Sequence, residues 1–559
     1  MIGTASLLRF LVPPLLILQA QTLYPQRMVT LRLSDWADTH EIKLTERCLE
    51  QFRTRHPSIR VQYEPNPGRV YEEKIHTALA AGDAPDVFLH DSKLIPTFTN
   101  KNILLDLHSF VDVLSIDTTQ WFPEVTAIAR RGGQLFAFPK GFTPLVVYYN
   151  RELFRRAGLE APSDAWTWND YLRCAQLLTI DRDSDGTPDQ YGAGFSNRYY
   201  YWIPWVWSAG GDVVDPHGER ASGYLNSPAT ESALQFLIDL VIRDRVSPVL
   251  GTWVQGEKTG ITTALFSTGK LAMLVDGHWR MPTYRKYIEQ GQLDIGVAPL
   301  PRHPSGRKVN VLYESGWCVP RNTRHPQEAV LLASFMAGEE ACRIRAEGHL
   351  ELPAVAAVAE ELAKADTSGI TGVFVAEVPH SRQPWGSIIE RFSQVEWTLQ
   401  DAVDEVLVNG APMHETLTRS AARIDKELAD IGQHRTSEFH SIREHSEIPV
   451  FLLGAAALTA SFSAVLYGRT APRGRKAARS ALGFLSPSLL HLAVFVFTPI
   501  AFSAYLSLHQ WDLVVAEKPF VGLGNFAAMA QDPYFWNALG NTLAYTLNVP
   551  VGMTITPRP

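Results

Sequence analysis

A chain of 559 residues exceeds what one hydrophobic core supports, since cores stop growing at roughly 250–300 residues and then divide. Its 46% hydrophobic and 19% charged residues are those of a folded protein, neither disordered nor collagen-like. The net charge of −7 gives no electrostatic basis for a nucleic-acid partner, because phosphate binding needs a basic face.

In chain order, Arg9 precedes the apolar run from Phe10 to Leu18, the length of a signal-peptide core and short for a membrane span. Gln19-Ala20-Gln21 is a poor cleavage site, so residues 1–27 are expected to be a signal peptide or an N-terminal anchor. From Met28 strands and helices alternate. Val29 to Leu33 reads as a strand, 40–54 as a helix, Ile59 to Tyr63 as a strand, 69–81 as a helix and Asp86 to His90 as a strand. Such repeats predict a parallel sheet covered by helices on both faces. Ligands bind beyond the carboxyl ends of strands in such sheets, which singles out Ser34-Asp35-Trp36 and Asp91-Ser92.

Leu145 to Tyr149 is a further strand, followed by a helix over 151–157 and another to Leu178, capped by Thr167 or Asn169. Strands are expected at 271–275, 294–297 and 317–319, then helices at 326–337, 388–408 and 415–431. In the last of these, Leu417, Ala421, Ile424, Leu428 and Ile431 form one apolar stripe for packing on the body. The polar stretch 433–447 reads as a linker. Residues 448–467 then carry no charge, and a helix of that length reaches about 30 Å, enough to cross a bilayer. A second charge-free run covers 482–507. The loop 468–481 between them holds only basic charges, which places it in the cytoplasm. Residues 28–447 therefore lie outside, where the N-terminal signal also sends them. The plasma (inner) membrane is the expected location, with lipid as a partner, and 508–559 forms an outer loop and the start of another span.

Cys48, Cys174, Cys318 and Cys342 are too few and scattered for a disulfide framework and lack metal-site spacing. Asp181-Arg-Asp-Ser-Asp-Gly186 resembles the first half of a calcium loop, with Asp181, Asp183 and Asp185 as ligands. Its twelfth position is Gly192 where a glutamate is needed; an acidic turn is the alternative. No other cofactor is expected.

Four stretches carry a family resemblance. They are Ala78-Leu-Ala-Ala-Gly-Asp-Ala-Pro-Asp-Val-Phe88; Leu135-Phe-Ala-Phe-Pro139 with Val147-Tyr-Tyr-Asn-Arg-Glu-Leu-Phe154; Gly269 to Trp279; and Ile295 to Pro301 with Glu314 to Pro320 and His325 to Ala329. In this order they resemble the family 1 extracellular solute-binding proteins, the maltose-binding-protein class. The resemblance implies a two-lobed periplasmic-binding-protein fold over 28–432, with crossing hinge strands and ligand in the cleft. It also implies delivery of solute to an ABC permease driven by a separate ATPase. Phe484-Leu-Ser-Pro-Ser488, Phe520 to Phe526 and Asp532 to Leu543 resemble the first span and outer loop of sugar-type permeases, which implies a permease fusion that stops short.

Sugars present C–H faces and hydroxyl rims, so aromatic rings and carboxylates are the expected contacts. The candidates are Trp36, Asp91, Trp202, Trp205, Trp207, Asp276, Trp279, Trp317, Arg382 and Trp385. Core packing for the indoles and helix capping for Asp91 and Asp276 are the competing roles. No nucleophile elbow, zinc motif or phosphate loop occurs, so a binding protein is expected rather than an enzyme. A membrane-anchored signalling receptor and a carbohydrate-active enzyme are the alternatives.

Overall fold

The computed structural model describes residues 28–66, 70–248, 261–348 and 352–434, and scattered residues between 484 and 546. The first strands and helices fall where the apolar spacing puts them: β1 (Val29–Asp35), α1 (Thr39–Arg55), β2 (Ile59–Pro65), α2 (Val70–Ala80) and β3 (Val87–Asp91). Asp38 starts α1 through a capping box, its carboxylate accepting from His40 and Glu41 amides while Glu41 reaches back. β1 pairs in parallel with both β2 and β3, and Leu33 stands opposite Tyr63.

The sheet is mixed, not parallel throughout. Two long strands, β4 (Phe138–Asn150) and β7 (Asn310–Cys318), run antiparallel to each other, and β7 runs antiparallel to β3. Both strands cross between lobes, which sequence alternation could not reveal. β4 pairs through Phe138–Pro144 with β7 in the first lobe. Through Leu145–Asn150 it pairs with β5 (Met273–Gly277) and β6 (Ile295–Ala298) in the second. All 13 of its residues are buried, because each half is covered by a different lobe.

The first core gathers Leu31, Phe52, Phe88, Trp121, Phe138 and Trp317; the second gathers Leu145, Tyr171, Trp205, Leu237 and Val403. Helices of the second lobe include α3 (Trp168–Leu178), α4 (Tyr199–Ala209), α5 (Pro228–Ile242), α6 (Phe392–Asn409) and α7 (Met413–His434). Thr167 is the N-cap of α3, and its partner Asp170 completes the box. Along α7 the predicted stripe is fully inside, with Leu417, Ala421 and Ile424 at 0% exposure. α6 begins at Phe392, later than periodicity predicts, because Trp385–Ser387 forms a separate turn and Arg391 takes a left-handed backbone, φ 56°. α7 continues to His434, two residues into the expected linker.

Among the described residues no helix is long and apolar enough to cross a membrane. The expected signal (1–27), the run 448–467 and the basic loop 468–481 lie outside the described residues. Of 482–507 the structure gives chiefly the helix Thr498–Ser507.

Candidate functional site

The carboxyl ends of β1 and β3 open onto a cleft of about 520 Å³ between the lobes. Trp36 leaves β1 at its rim, its ring edge-on to Tyr71 at 5.6 Å. Asp91 ends β3 and caps the short turn Ser92–Leu94 by accepting from the Lys93 amide at 3.0 Å. It lines the cleft as well, so capping and facing ligand are both served by one carboxylate. The crossing strands supply the floor: Phe142 and Thr143 from β4, Tyr313, Glu314 and Ser315 from β7. The second lobe adds Tyr199 and Tyr200 at the start of α4, Trp279 after β5, and Phe392 and Glu396 from α6.

Charges in the cleft are balanced by close neighbours. Burial pulls the Lys93 ammonium down, but Asp91, Glu72 and Glu396 outweigh it and hold its pKa above the ordinary value. Glu72 pairs with it at 2.8 Å. Burial raises the Glu396 carboxyl, opposed by Lys93 and reinforced by Asp91. Three hydroxyls of cleft-lining residues have buried oxygens without a hydrogen-bond partner, Ser92 Oγ, Tyr199 Oη and Tyr313 Oη. A buried unpaired hydroxyl costs roughly 1–3 kcal/mol, so each favours an incoming polar group.

Of the ten residues singled out by sequence, Trp36, Asp91 and Trp279 reach the cleft. The other seven do not line it. Trp202 (1% exposed) bonds Asn197, and Trp205 packs within 5.6 Å of Phe236, Trp168 and Tyr171 in the second core. Trp317 is wholly buried in β7 between Leu89 and Phe138. Trp207, Arg382 and Trp385 converge on Asp212. Both indole N–H groups donate to its Oδ1, at 2.9 and 2.7 Å, and Arg382 donates to Oδ2 at 3.1 Å. The Arg382 guanidinium also lies 4.1 Å from the Trp207 ring centre. That knot ties the segment before α6 to α4. Asp276 is consumed internally, accepting from Tyr201 Oη, the Gly277 amide and Arg280 Nε, with burial raising its pKa.

The rings that do face the cleft were partly hidden in the sequence. Tyr200 sits two residues from Trp202, and a helix turns such neighbours to different faces. Tyr313 and Ser315 are half-exposed and alternate with buried Leu312, Glu314 and Gly316, a period-2 signal that marks the open face of β7.

In the acidic turn, Asp181 and Asp183 come together with Asp189, not Asp185, their ligand atoms within 4.8 Å of one another. Asp181, Asp183, Asp185 and Asp189 each accept a backbone N–H, from Gly186, Asp185, Thr187 and Arg182. The four cysteines are buried free thiols.

Two α/β lobes joined by crossing strands around an aromatic cleft define a two-lobed solute-binding protein. The sequence pattern of bacterial extracellular solute-binding proteins matches residues 37–341, more than half the chain, and the chain belongs to that family. Homologues in the family are binding proteins that work with ABC importers, and the family places the lobes outside the cytoplasm. A putative binding protein of Brucella abortus is 21% identical over 415 residues, 71% of this chain and 95% of the relative. The galactooligosaccharide-binding protein of Bacillus subtilis is 23% identical over 382 residues, 67% of this chain and 84% of the relative. Among solved structures, an ABC substrate-binding protein of Listeria monocytogenes in complex with cycloalternan superposes with a TM-score of 0.63. It is 21% identical and covers 72% of this chain and 99% of that one, a likeness of fold.

Proposed function

We propose that the chain captures a sugar or oligosaccharide between its lobes and presents it to an ABC import permease. The observation that carries this is the pairing of aromatic faces with orphaned hydroxyls in one interlobe cleft. Trp36, Tyr200, Trp279 and Tyr313 supply faces, and Ser92 Oγ and Tyr313 Oη supply unpaired polar atoms. A sugar matches both, stacking its C–H face and pairing its hydroxyls. Because both lobes line the cleft, ligand makes its full contacts only when they close, so it stabilises the closed state. Relatives point the same way, with galactooligosaccharide named for one and cycloalternan bound in another.

The charge-free runs 448–467 and 482–507 and the basic loop between them support an anchored receptor whose C-terminal part begins a permease. A tether would hold the binding lobes near their permease at roughly millimolar effective concentration, and a separate ATPase would drive release inward. Thermal unfolding of the full-length chain against a panel of mono- and oligosaccharides tests capture. A rise in Tm with at least one sugar is expected, and none across the panel refutes it.

A further inference from the structure

A contact outside the crossing strands joins the lobes at the rim of the cleft. On the first-lobe side stand the turn Ser92–Leu94 and the helix Ile95–Asn100, whose Ile95 and Phe98 belong to the first core. On the second-lobe side stands the segment 384–392, whose Trp385, Ile389 and Phe392 belong to the second core. A Cβ on Gly386 would lie 3.7 Å from that of Lys93, so the two sides meet closely. Leu94 and Thr97 line the cleft from one side, Gly386 and Arg391 from the other.

Behind this rim a charge pair is buried between the lobes. Lys101, directly after the helix, is 1% exposed, and Glu390 is 4% exposed. The Lys101 ammonium lies 3.9 Å from Glu390 Oε1, and Asn100 Nδ2 donates to Glu390 Oε2 at 2.8 Å. None of these three residues lines the cleft. Arg391, next to Glu390, holds a left-handed backbone at φ 56° without glycine's freedom. Such a conformation persists only where the surroundings fix it, and the Glu390 contact lies on one side of it and α6 on the other.

A buried ion pair adds little stability over well-packed apolar side chains, but it is steep in geometry. Parting the lobes at this point returns both charges to water, so the pair favours one arrangement of the lobes over others. We propose that Glu390, held by Lys101 and Asn100, is a clasp that sets the balance between open and closed lobes. It therefore sets solute affinity without touching solute, because affinity scales with the share of the binding-competent state. This rests on lobe closure in the capture reading, not on the identity of the solute.

The test is pulsed dipolar EPR on the full-length chain, spin-labelled through Thr54→Cys on α1 and Ser232→Cys on α5, exposed positions on the two lobes. The four native thiols are buried and stay unlabelled. Glu390→Gln and Lys101→Met should each raise the ratio of long to short interlobe distances about tenfold. The double variant Lys101→Met/Glu390→Gln leaves neither charge and keeps an acceptor for Asn100, so it should return most of that change. Glu347→Gln, which breaks the exposed pair with Arg47, should change nothing. Melting curves of each variant show that the lobes remain folded. A lower Tm with unchanged distances makes the pair structural only and overturns the clasp, as do single effects that add in the double variant. Distances that shorten with galactobiose or maltotriose but ignore the substitutions overturn the clasp and leave closure standing. Distances that no substitution and neither sugar changes overturn both.

Discussion

His90 should make this protein acid-sensitive in a defined window. It lies in β3, 1% exposed, one residue before the cleft carboxylate Asp91. Its Nδ1 sits 2.6 Å from the Asp91 carbonyl oxygen, as a neutral ring donating there requires, and Nε2 is buried without a partner. Burial lowers its pKa from 6.5 to about 4. The unfolded chain therefore takes up a proton below pH 6.5 that the folded chain refuses until near pH 4. Stability from this group is full above pH 6.5 and is lost as the pH falls toward 4. The whole loss is about 3 kcal/mol, with about 2 kcal/mol of it gone by pH 5. Urea unfolding of the full-length chain, followed by tryptophan fluorescence at pH 7.5 and 5.0, reads the difference. His90→Gln cannot titrate, so it should lose about 2 kcal/mol less than the wild type between the two pH values. Equal losses in the two proteins would refute a buried neutral His90.

Removing Asp212 should cost about 3–5 kcal/mol, because Asp212→Ala strands two indole N–H groups and the Arg382 guanidinium at a partly buried site. A fall in Tm with ligand affinity retained checks it. Trp205→Ala and Trp279→Ala should separate core from site: the first loses about 3–5 kcal/mol of stability, the second little stability and most of the ligand affinity. Melting curves and titrations of both variants decide. Gly277→Ala should weaken ligand binding about tenfold while the lobes stay folded, since its methyl would displace the Trp279 ring; unchanged affinity would count against that ring's role.

What the sequence determined by itself is local. Period-2 runs placed β1 and β2, and 3.6-residue spacing placed the stripe of α7, where every predicted inward residue is buried. Cap chemistry narrowed the start of α3 to Thr167 or Asn169, and the structure shows Thr167. The rule that ligands sit beyond strand carboxyl ends brought Trp36, Asp91 and Ser92 to the cleft, since chain direction alone sets those ends, but not Ser34, Asp35 or Asp276, whose side chains turn into the protein. The tertiary structure decided which aromatic rings are site and which are core. Trp202, Trp205 and Trp317 carry the same chemistry as Trp279, and only packing distinguishes them. It also decided the crossing of β4 and β7, since a strand buried by two lobes in turn has no single periodicity to read. Composition says a ring is present, but the direction it faces is set by contacts between residues far apart in the chain.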